Sequence, residues 1–325
     1  MNEAFPDATT AEVDITLRAA AQAFHSFRKL SGERRATFLE TIADILESNS
    51  EEIISLADRE TSLGLPRLEM ELRRTANETR LFAGLAQSED WLESRSDEAE
   101  SDRIPIPKPA LQSNNIPLGP VVVIGACNFP LAISVVGTDT MSALTVGCPV
   151  IVKAHPGHPG TCAKLSEIVK EAAMKTDMPS GAFSLLQGKD HRVSRELVEH
   201  PLTRAVAFTG SLQGGRALAT IAAGRNEPIP FYAEMGSLNP LFILPGAFRE
   251  RSDEIAVGYV GAVNLFAGQM CTKPGALVLI DGPGVDTFLS TAEEATRAQP
   301  PIAMLNKGIR ENYETSTKTL AQKAE

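Results

Sequence analysis

A single cysteine, Cys271, sits in the stretch FAGQMCTKPGA between Gly268 and Gly275, with Lys273 and Pro274 close behind it. Four readings suit so tight a place: a packed core thiol, half of a disulfide, a metal ligand or a nucleophile. The other cysteines, Cys127, Cys148 and Cys162, are too sparse and irregularly spaced for a disulfide framework. No CxxC or HExxH pattern occurs, so no metal is expected. The core thiol and the nucleophile stay open on these grounds.

Other positions carry chemistry of their own. ACNFP puts Asn128 directly after an apolar run, where an amide can donate to a developing oxyanion. An Asx-type turn before Phe-Pro is its plain alternative. YAEMGS places Glu234 in an apolar segment, where a carboxyl of raised pKa can serve as a general base; a paired or surface glutamate is the alternative. VKAHP sets Lys153 at the C-terminal end of an inferred strand, within reach of ribose hydroxyls or phosphate. His155 and His158 follow it without a carboxylate or third ligand to suggest a metal. FTGSLQGG, with Gly210, Ser211 and Gly215, joins a strand to a helix and suits either a phosphate cradle or a plain tight turn.

The elements that must position these groups follow from pattern. Residues 11 to 88 read as helices, with Val13, Leu17, Ala20, Phe24 and Phe27 on one stripe, Ser31 opening a second helix and Ser50 capping a third. Gly64-Leu65-Pro66 interrupts the run. From Ser88 to Gly119 the chain turns polar and holds Pro105, Pro107, Pro109 and Pro117, an exposed connection or edge hairpin. Apolar strands at 121–126, 149–154, 183–186 and 205–209 then alternate with helices at 131–146, 161–174 and 212–223. Such alternation predicts a parallel sheet covered on both faces, a doubly wound α/β domain. Further strands are expected at 229–233, 240–244 and 276–280, around a helix at 253–269.

Length and charge narrow the classes. A chain of 325 residues accommodates two domains. The boundaries expected are 1–235 for the N-terminal helices and dinucleotide-binding domain, interrupted by the segment near 100–119, and 236–325 for a second, catalytic domain. A formal charge of -10 argues against nucleic acid, whose phosphates need clustered Lys and Arg. No apolar run reaches the roughly 18 residues of a membrane helix, and MNEAFPDATTAEVD has no signal-peptide pattern, so a reduced, cytoplasmic protein is expected.

Taken in order, ACNFP, VKAHP, FTGS, AEMG and GQMCTKPG resemble the aldehyde dehydrogenase superfamily over nearly the whole chain. KAHPGHPGT, PFYAEMGSLNP and RRATFLETIADIL are similar to its α-ketoglutarate semialdehyde (2,5-dioxovalerate) branch. The resemblance implies a Rossmann-like cofactor domain plus an α/β catalytic domain, and oxidation of an aldehyde to a carboxylic acid with NADP or NAD. It implies Cys271 as nucleophile, Asn128 as oxyanion donor with the Cys271 backbone amide, and Glu234 as the base that activates water. Lys153 with His155 and Pro156, and Gly210, Ser211 and Gly215, would hold the cofactor. Lys273 would favour the thiolate or steer an anionic substrate, although solvent exposure is the commoner state of lysine.

Many NAD-preferring relatives carry an acidic residue three positions after that lysine, where this chain has Pro156. Without that charge a 2′-phosphate is not repelled, so NADP is expected to be accepted. Only 54 residues follow Cys271, and a later Glu-x-Phe-Gly type motif of the family is missing. The expectation is a C-terminally truncated chain whose second domain is incomplete, and a homo-oligomer in the full-length protein. Two rivals stand beside this reading. One is a cysteine hydrolase or acyltransferase using His25, His155, His158, His191 or His200; the other is an inactive fragment or interaction module.

Overall fold

The computed structural model describes residues 5–323. It divides into two compact units, one made of the residues up to Glu60 with Gly64–Glu234, the other of Thr61–Leu63 with the residues from Met235 onward.

The first unit opens with four helices, α1 (Thr10–Phe27), α2 (Gly32–Ser48), α3 (Ser50–Thr61) and α4 (Leu65–Ser88). A capping box starts α1: the Thr9 hydroxyl accepts from the Glu12 amide, and the Glu12 carboxylate accepts from the Thr9 amide at 2.7 Å. Val13, Leu17, Ala20 and Phe27 are buried on the expected stripe, while Phe24 is half-buried. Ser31 caps α2 by accepting from the Arg34 amide. Ser50, expected as a cap, is instead the first residue of α3. Asn49 stands before it and closes α2 by donating to the Ile45 carbonyl at 2.8 Å. Pro66 lies in the first turn of α4, where its missing amide hydrogen has no helical partner to lose.

The polar connection forms an antiparallel pair, β1 (Arg95–Asp97) with β2 (Leu111–Ser113), whose residues are all exposed. Then follow β3 (Val121–Ile124), α5 (Thr138–Thr145), β4 (Val150–Lys153), α6 (Pro159–Lys175), β5 (Phe183–Leu186), α7 (His191–Glu199), β6 (Ala205–Gly210), α8 (Leu212–Ala223) and β7 (Phe231–Met235). Five strands make one sheet in the order β5-β4-β3-β6-β7. β4 runs parallel to β3 and β5, and β3 parallel to β6. β3 and β4 are buried throughout, which explains their unbroken valine and isoleucine runs.

Two helices depart from the sequence reading. The segment 131–146 is helical only from Thr138, because turns occupy the residues after Pro130 and Gly137 precedes the first helical residue. α7 was not anticipated. It is short, yet Asp190 caps it by accepting from the Arg192 amide at 2.9 Å, and Val193, Leu197 and Val198 are buried.

α6 has no side-chain cap of its own at His158. Glu60, at the far end of α3, supplies one. Its carboxylate accepts from the Gly160 amide (2.9 Å), the Thr161 amide (2.8 Å) and the Thr161 hydroxyl (2.6 Å). The negative charge also meets the positive end of the helix dipole.

The second unit pairs β8 (Pro240–Ile243) in parallel with β9 (Ala276–Leu279) and holds α9 (Pro245–Asn264), α10 (Val285–Arg297) and α11 (Lys307–Lys323). Ile243, Phe248, Ala256, Val285 and Phe288 form its core, with the two phenylalanine rings edge-on at 5.3 Å. α9 starts well before residue 253, with Pro245 in its first turn, and bends at Arg251, whose backbone is not helical. α10 was not anticipated either. No helix among the described residues is long and apolar enough to cross a membrane.

Removing the cap that α3 lends to α6 should be measurable. Glu60→Ala is expected to lower the unfolding free energy by about 1–2 kcal/mol, read from urea denaturation, and Glu60→Gln by less. A midpoint unmoved by the alanine variant would show the cap to be dispensable.

Candidate active site

From β3 the chain winds outward to β4 and β5, then returns through α7 to β6 on the opposite side of β3. The sheet order therefore reverses between β3 and β6. In open α/β sheets ligands bind beyond the carboxyl ends of the strands at such a reversal. Ile124 pairs in register with both Lys153 and Phe208, so the three strands end together. Asn128, Lys153, Gly210 and Ser211 all emerge from that edge.

Lys153 is only 7% exposed, and its ammonium makes no hydrogen bond or close ion pair among the described residues. Burial pushes its ammonium below the ordinary lysine range, with Cys162, Asp7 and Asp190 acting against that shift. A buried cation without a hydrogen-bond acceptor is costly, and hydroxyl or phosphate oxygens would relieve it. Ser211 caps α8 by accepting from the Gly214 amide at 3.1 Å, and its side chain is exposed. Gly210 ends β6 beside it. Gly215 is buried, and its amide already donates to the Ser211 carbonyl within the helix. These donors on one sheet edge fit a dinucleotide, whose ribose and pyrophosphate present acceptors.

His155 is half-buried, with Nδ1 accepting from the Gly157 amide at 2.9 Å. Pro156 is exposed beside it. The His155 ring stacks on His158, centroids 5.4 Å apart and planes 14° from parallel. His158 is fully buried and meets Cys162 Sγ through Nδ1 at 3.2 Å, with the Ser134 hydroxyl 3.4 Å from the same sulfur. A thiol–imidazole contact thus exists, but its cysteine is fully buried and closed to substrate.

Asn128 is half-buried in a loop held from below by two charges on α4. Arg67 and Glu71, 6% and 4% exposed, pair at 2.7 Å. Arg67 also donates to the Asn128 carbonyl at 2.6 Å and lies over the Phe129 ring at 4.6 Å. The other Glu71 oxygen accepts from the Leu131 and Ala132 amides at 2.8 and 2.9 Å. Burial pushes the Glu71 carboxyl upward against the opposing pull of those amides and of Arg67. Sequence reasoning missed this pair. Its signal was two charges four apart on the stripe that carries Leu68 and Leu72.

Glu234 does not lie in apolar surroundings. It is exposed on β7, at the end of the sheet order, where a carboxylate stays in contact with water. Asp139, in the first turn of α5, is pushed upward by burial and then by the negative charge of Glu234.

Cys271 belongs to the second unit, and of the four cysteines it alone is not buried. The backbone leading to it is unusual: Phe266 and Ala267 have φ of 51° and 57°, left-handed conformations that cost on the order of 1–3 kcal/mol each. Gln269 ties the segment down, donating to the Phe266 carbonyl and accepting from the Leu305 amide, both at 3.0 Å. The Asn239 amide donates to the carbonyls of Cys271 (2.5 Å) and Lys273 (2.9 Å), and the Ser237 hydroxyl also donates to the Cys271 carbonyl. Gly275 passes so close to the chain that a Cβ there would fall 2.1 Å from the Leu238 carbonyl oxygen. Lys273 is half-buried and turns back to donate to the Pro274 carbonyl at 3.3 Å. Ser237 and Asn239 had entered the sequence reading only as letters of a motif.

The family model described as the aldehyde dehydrogenase family matches residues 3–305. The chain belongs to the aldehyde dehydrogenase family. It is 44% identical over 318 residues to alpha-ketoglutaric semialdehyde dehydrogenase 2 of Azospirillum brasilense, covering 98% of this chain and 61% of that protein. It is 41% identical over 310 residues to an alpha-ketoglutaric semialdehyde dehydrogenase of Acinetobacter baylyi, covering 95% and 59%. The chain therefore spans about three-fifths of the length of these curated relatives. Among solved structures, an NAD-dependent aldehyde dehydrogenase from Sinorhizobium meliloti superposes with a TM-score of 0.78 at 26% identity, over 93% of this chain and 56% of that one. HpcC from Thermus thermophilus gives 0.78 at 25% identity, over 90% and 53%. The expected family and doubly wound fold are thereby established.

For this aldehyde dehydrogenase chain the Arg67–Glu71 pair offers a direct test of loop support. Arg67→Ala is expected to destabilise the protein by about 3–5 kcal/mol, because it strands a buried carboxylate. Arg67→Met with Glu71→Met should recover much of that loss in denaturant melts. Equal losses in the single and double variants would show that the charges do not act as a pair.

Proposed function

We propose that this chain carries the nucleophile, oxyanion donor, base and cofactor-binding surface for NAD(P)-dependent oxidation of an aldehyde to a carboxylic acid. The observation that carries the reading is Cys271, the one cysteine not buried, on a loop whose carbonyl is pinned by Ser237 and Asn239. The names of the two curated relatives support α-ketoglutarate semialdehyde as the substrate.

Cys271 Sγ attacks the aldehyde carbon as thiolate; an S–C bond forms and the carbonyl electron pair moves onto oxygen. As the family resemblance implies, the Cys271 backbone amide would donate to that oxyanion, with the Asn128 side-chain amide as the second donor. Pinning the Cys271 carbonyl orients the peptide on which the nucleophile sits, so little rearrangement is required at the moment of attack. When bound, the nicotinamide cofactor supplies the acceptor for the hydride of the aldehyde carbon. The acyl group is left on Sγ as a thioester. Glu234 then takes a proton from water, the water oxygen attacks the acyl carbon, the C–S bond breaks and the thiolate is regenerated. Exposure of Glu234 suits this role, since its partner is solvent.

Lys153 and His155 would contact the adenosine ribose, and Gly210 and Ser211 the pyrophosphate. With Pro156 rather than a carboxylate at the ribose, NADP is accepted as well as NAD. The β1–β2 segment, with Ile104, Ile106, Leu111 and Leu118 exposed, suits contact with a second copy of the protein.

The test is the absorbance of reduced cofactor with α-ketoglutarate semialdehyde and either dinucleotide. Cys271→Ala should abolish it. Glu234→Gln should keep a single-turnover burst while steady-state turnover falls about 10²–10⁴-fold. A Cys271→Ala variant that still turns over, or a wild type with no burst on either dinucleotide, would remove the reading for this chain.

A further inference from the structure

The loop after β4 contains a histidine whose hydrogen is placed by the backbone. The Gly157 amide donates to His155 Nδ1 at 2.9 Å, so Nδ1 must offer a lone pair. A doubly protonated ring would set one N–H against another. Gly157 makes the approach easy because it lacks a side chain: a Cβ there would stand 3.0 Å from His155 Nδ1 and 3.4 Å from the Cys127 Cβ, a tight fit. Stacking on the buried His158, itself tied to Cys162, fixes the plane of the ring.

We infer that His155 is a neutral imidazole with its hydrogen on Nε2, and that this N–H meets the 2′ substituent of the adenosine ribose, favouring a 2′-phosphate over a 2′-hydroxyl. The inference rests on the cofactor reading above and adds to it the residue that discriminates. Nε2 makes no hydrogen bond among the described residues, and the Lys153 ammonium two residues earlier makes neither a hydrogen bond nor a close ion pair, with Cys162, Asp7 and Asp190 acting on it only at longer range. Two donors without acceptors therefore leave the same strand end. Pro156 contributes neither an amide hydrogen nor a charge.

The surrounding charges agree with a neutral ring. Burial, then His158, then Lys153 push the His155 pKa down to about 3. Glu60 and Cys162 act on His158, and Cys162, Asp7 and Asp190 on Lys153. A hydrogen bond to an ionised acceptor is roughly twice as strong as one between neutral groups. The donor thus gains more from a phosphate than from a hydroxyl without carrying a charge itself.

Two measurements on the 325-residue chain test this. Nitrogen-15 NMR of the imidazole at about pH 7.5 should show Nε2–H with an unprotonated Nδ1. Dissociation constants by calorimetry should show that His155→Leu weakens NADP about tenfold or more and NAD about threefold or less, while His155→Gln, which keeps a donor, stays within about threefold of wild type. Between about pH 7 and 8.5 the 2′-phosphate is already mostly dianionic, with a second pKa of about 6. Wild type and His155→Gln should therefore share one pH profile for NADP, whereas an imidazolium would make wild-type affinity alone decline. An Nδ1–H or charged ring, or equal effects of His155→Leu on both dinucleotides, would overturn the inference and leave the cofactor reading standing. Failure of the wild type to bind either dinucleotide would overturn both.

Discussion

The buried pair of Arg67 and Glu71 is the contact through which the helical layer governs the chemistry-bearing edge of the sheet. Charges withdrawn from water are expensive unless they are paired and hydrogen-bonded. Here Glu71 receives Arg67 on one oxygen and two backbone amides on the other, while Arg67 reaches a backbone carbonyl and the face of Phe129. The cost of burial is thus offset by tying down a loop. The Asn128 carbonyl and the amides of residues 131 and 132 are satisfied in a stretch where turns replace the expected helix, so neither a helix nor a strand would otherwise use them.

The same device recurs at Glu60, which leaves its own helix to satisfy amides at the start of α6. Two carboxylates from the N-terminal helices therefore hold the beginnings of two segments that leave parallel strands. In the second unit the principle is inverted: the pinned groups are carbonyls, and the side chains holding them are donors, Ser237 and Asn239. In each case a loop or helix start is fixed through its backbone groups by a side chain distant in sequence.

Much of this was legible in the sequence where one physical force decides the outcome. The buried strands β3 and β4 announced themselves as apolar β-branched runs, and α8 matched its expected limits because Ser211 and the glycines punctuate its start. Where several weak forces compete, pattern reading failed. α7 is nine residues long and its apolar positions number only a few, so its periodicity is weak. Ser50 looked like a cap because serine commonly is one, but Asn49 had already taken the boundary. The candidate residues Cys271, Asn128 and Lys153 could be picked out by type and flank. Arg67, Glu71, Ser237 and Asn239 could not, since their importance arises from partners sixty or thirty residues distant. The exposure of Glu234 was hidden for a related reason: its neighbours in sequence are apolar, but its strand ends the sheet order.

The loan of Glu60 to α6 has a consequence for how the chain can be divided. A helical layer that merely covered the sheet by apolar contact could be trimmed or exchanged with a graded loss, since such contact is indifferent to sequence detail. A layer that supplies a specific carboxylate to a specific pair of amides loses that cap when it is exchanged. A piece presenting the Lys153 strand end without α3 would leave those amides uncapped, and a graft of this sheet onto foreign helices would have to carry an acid to that one spot to restore the contact.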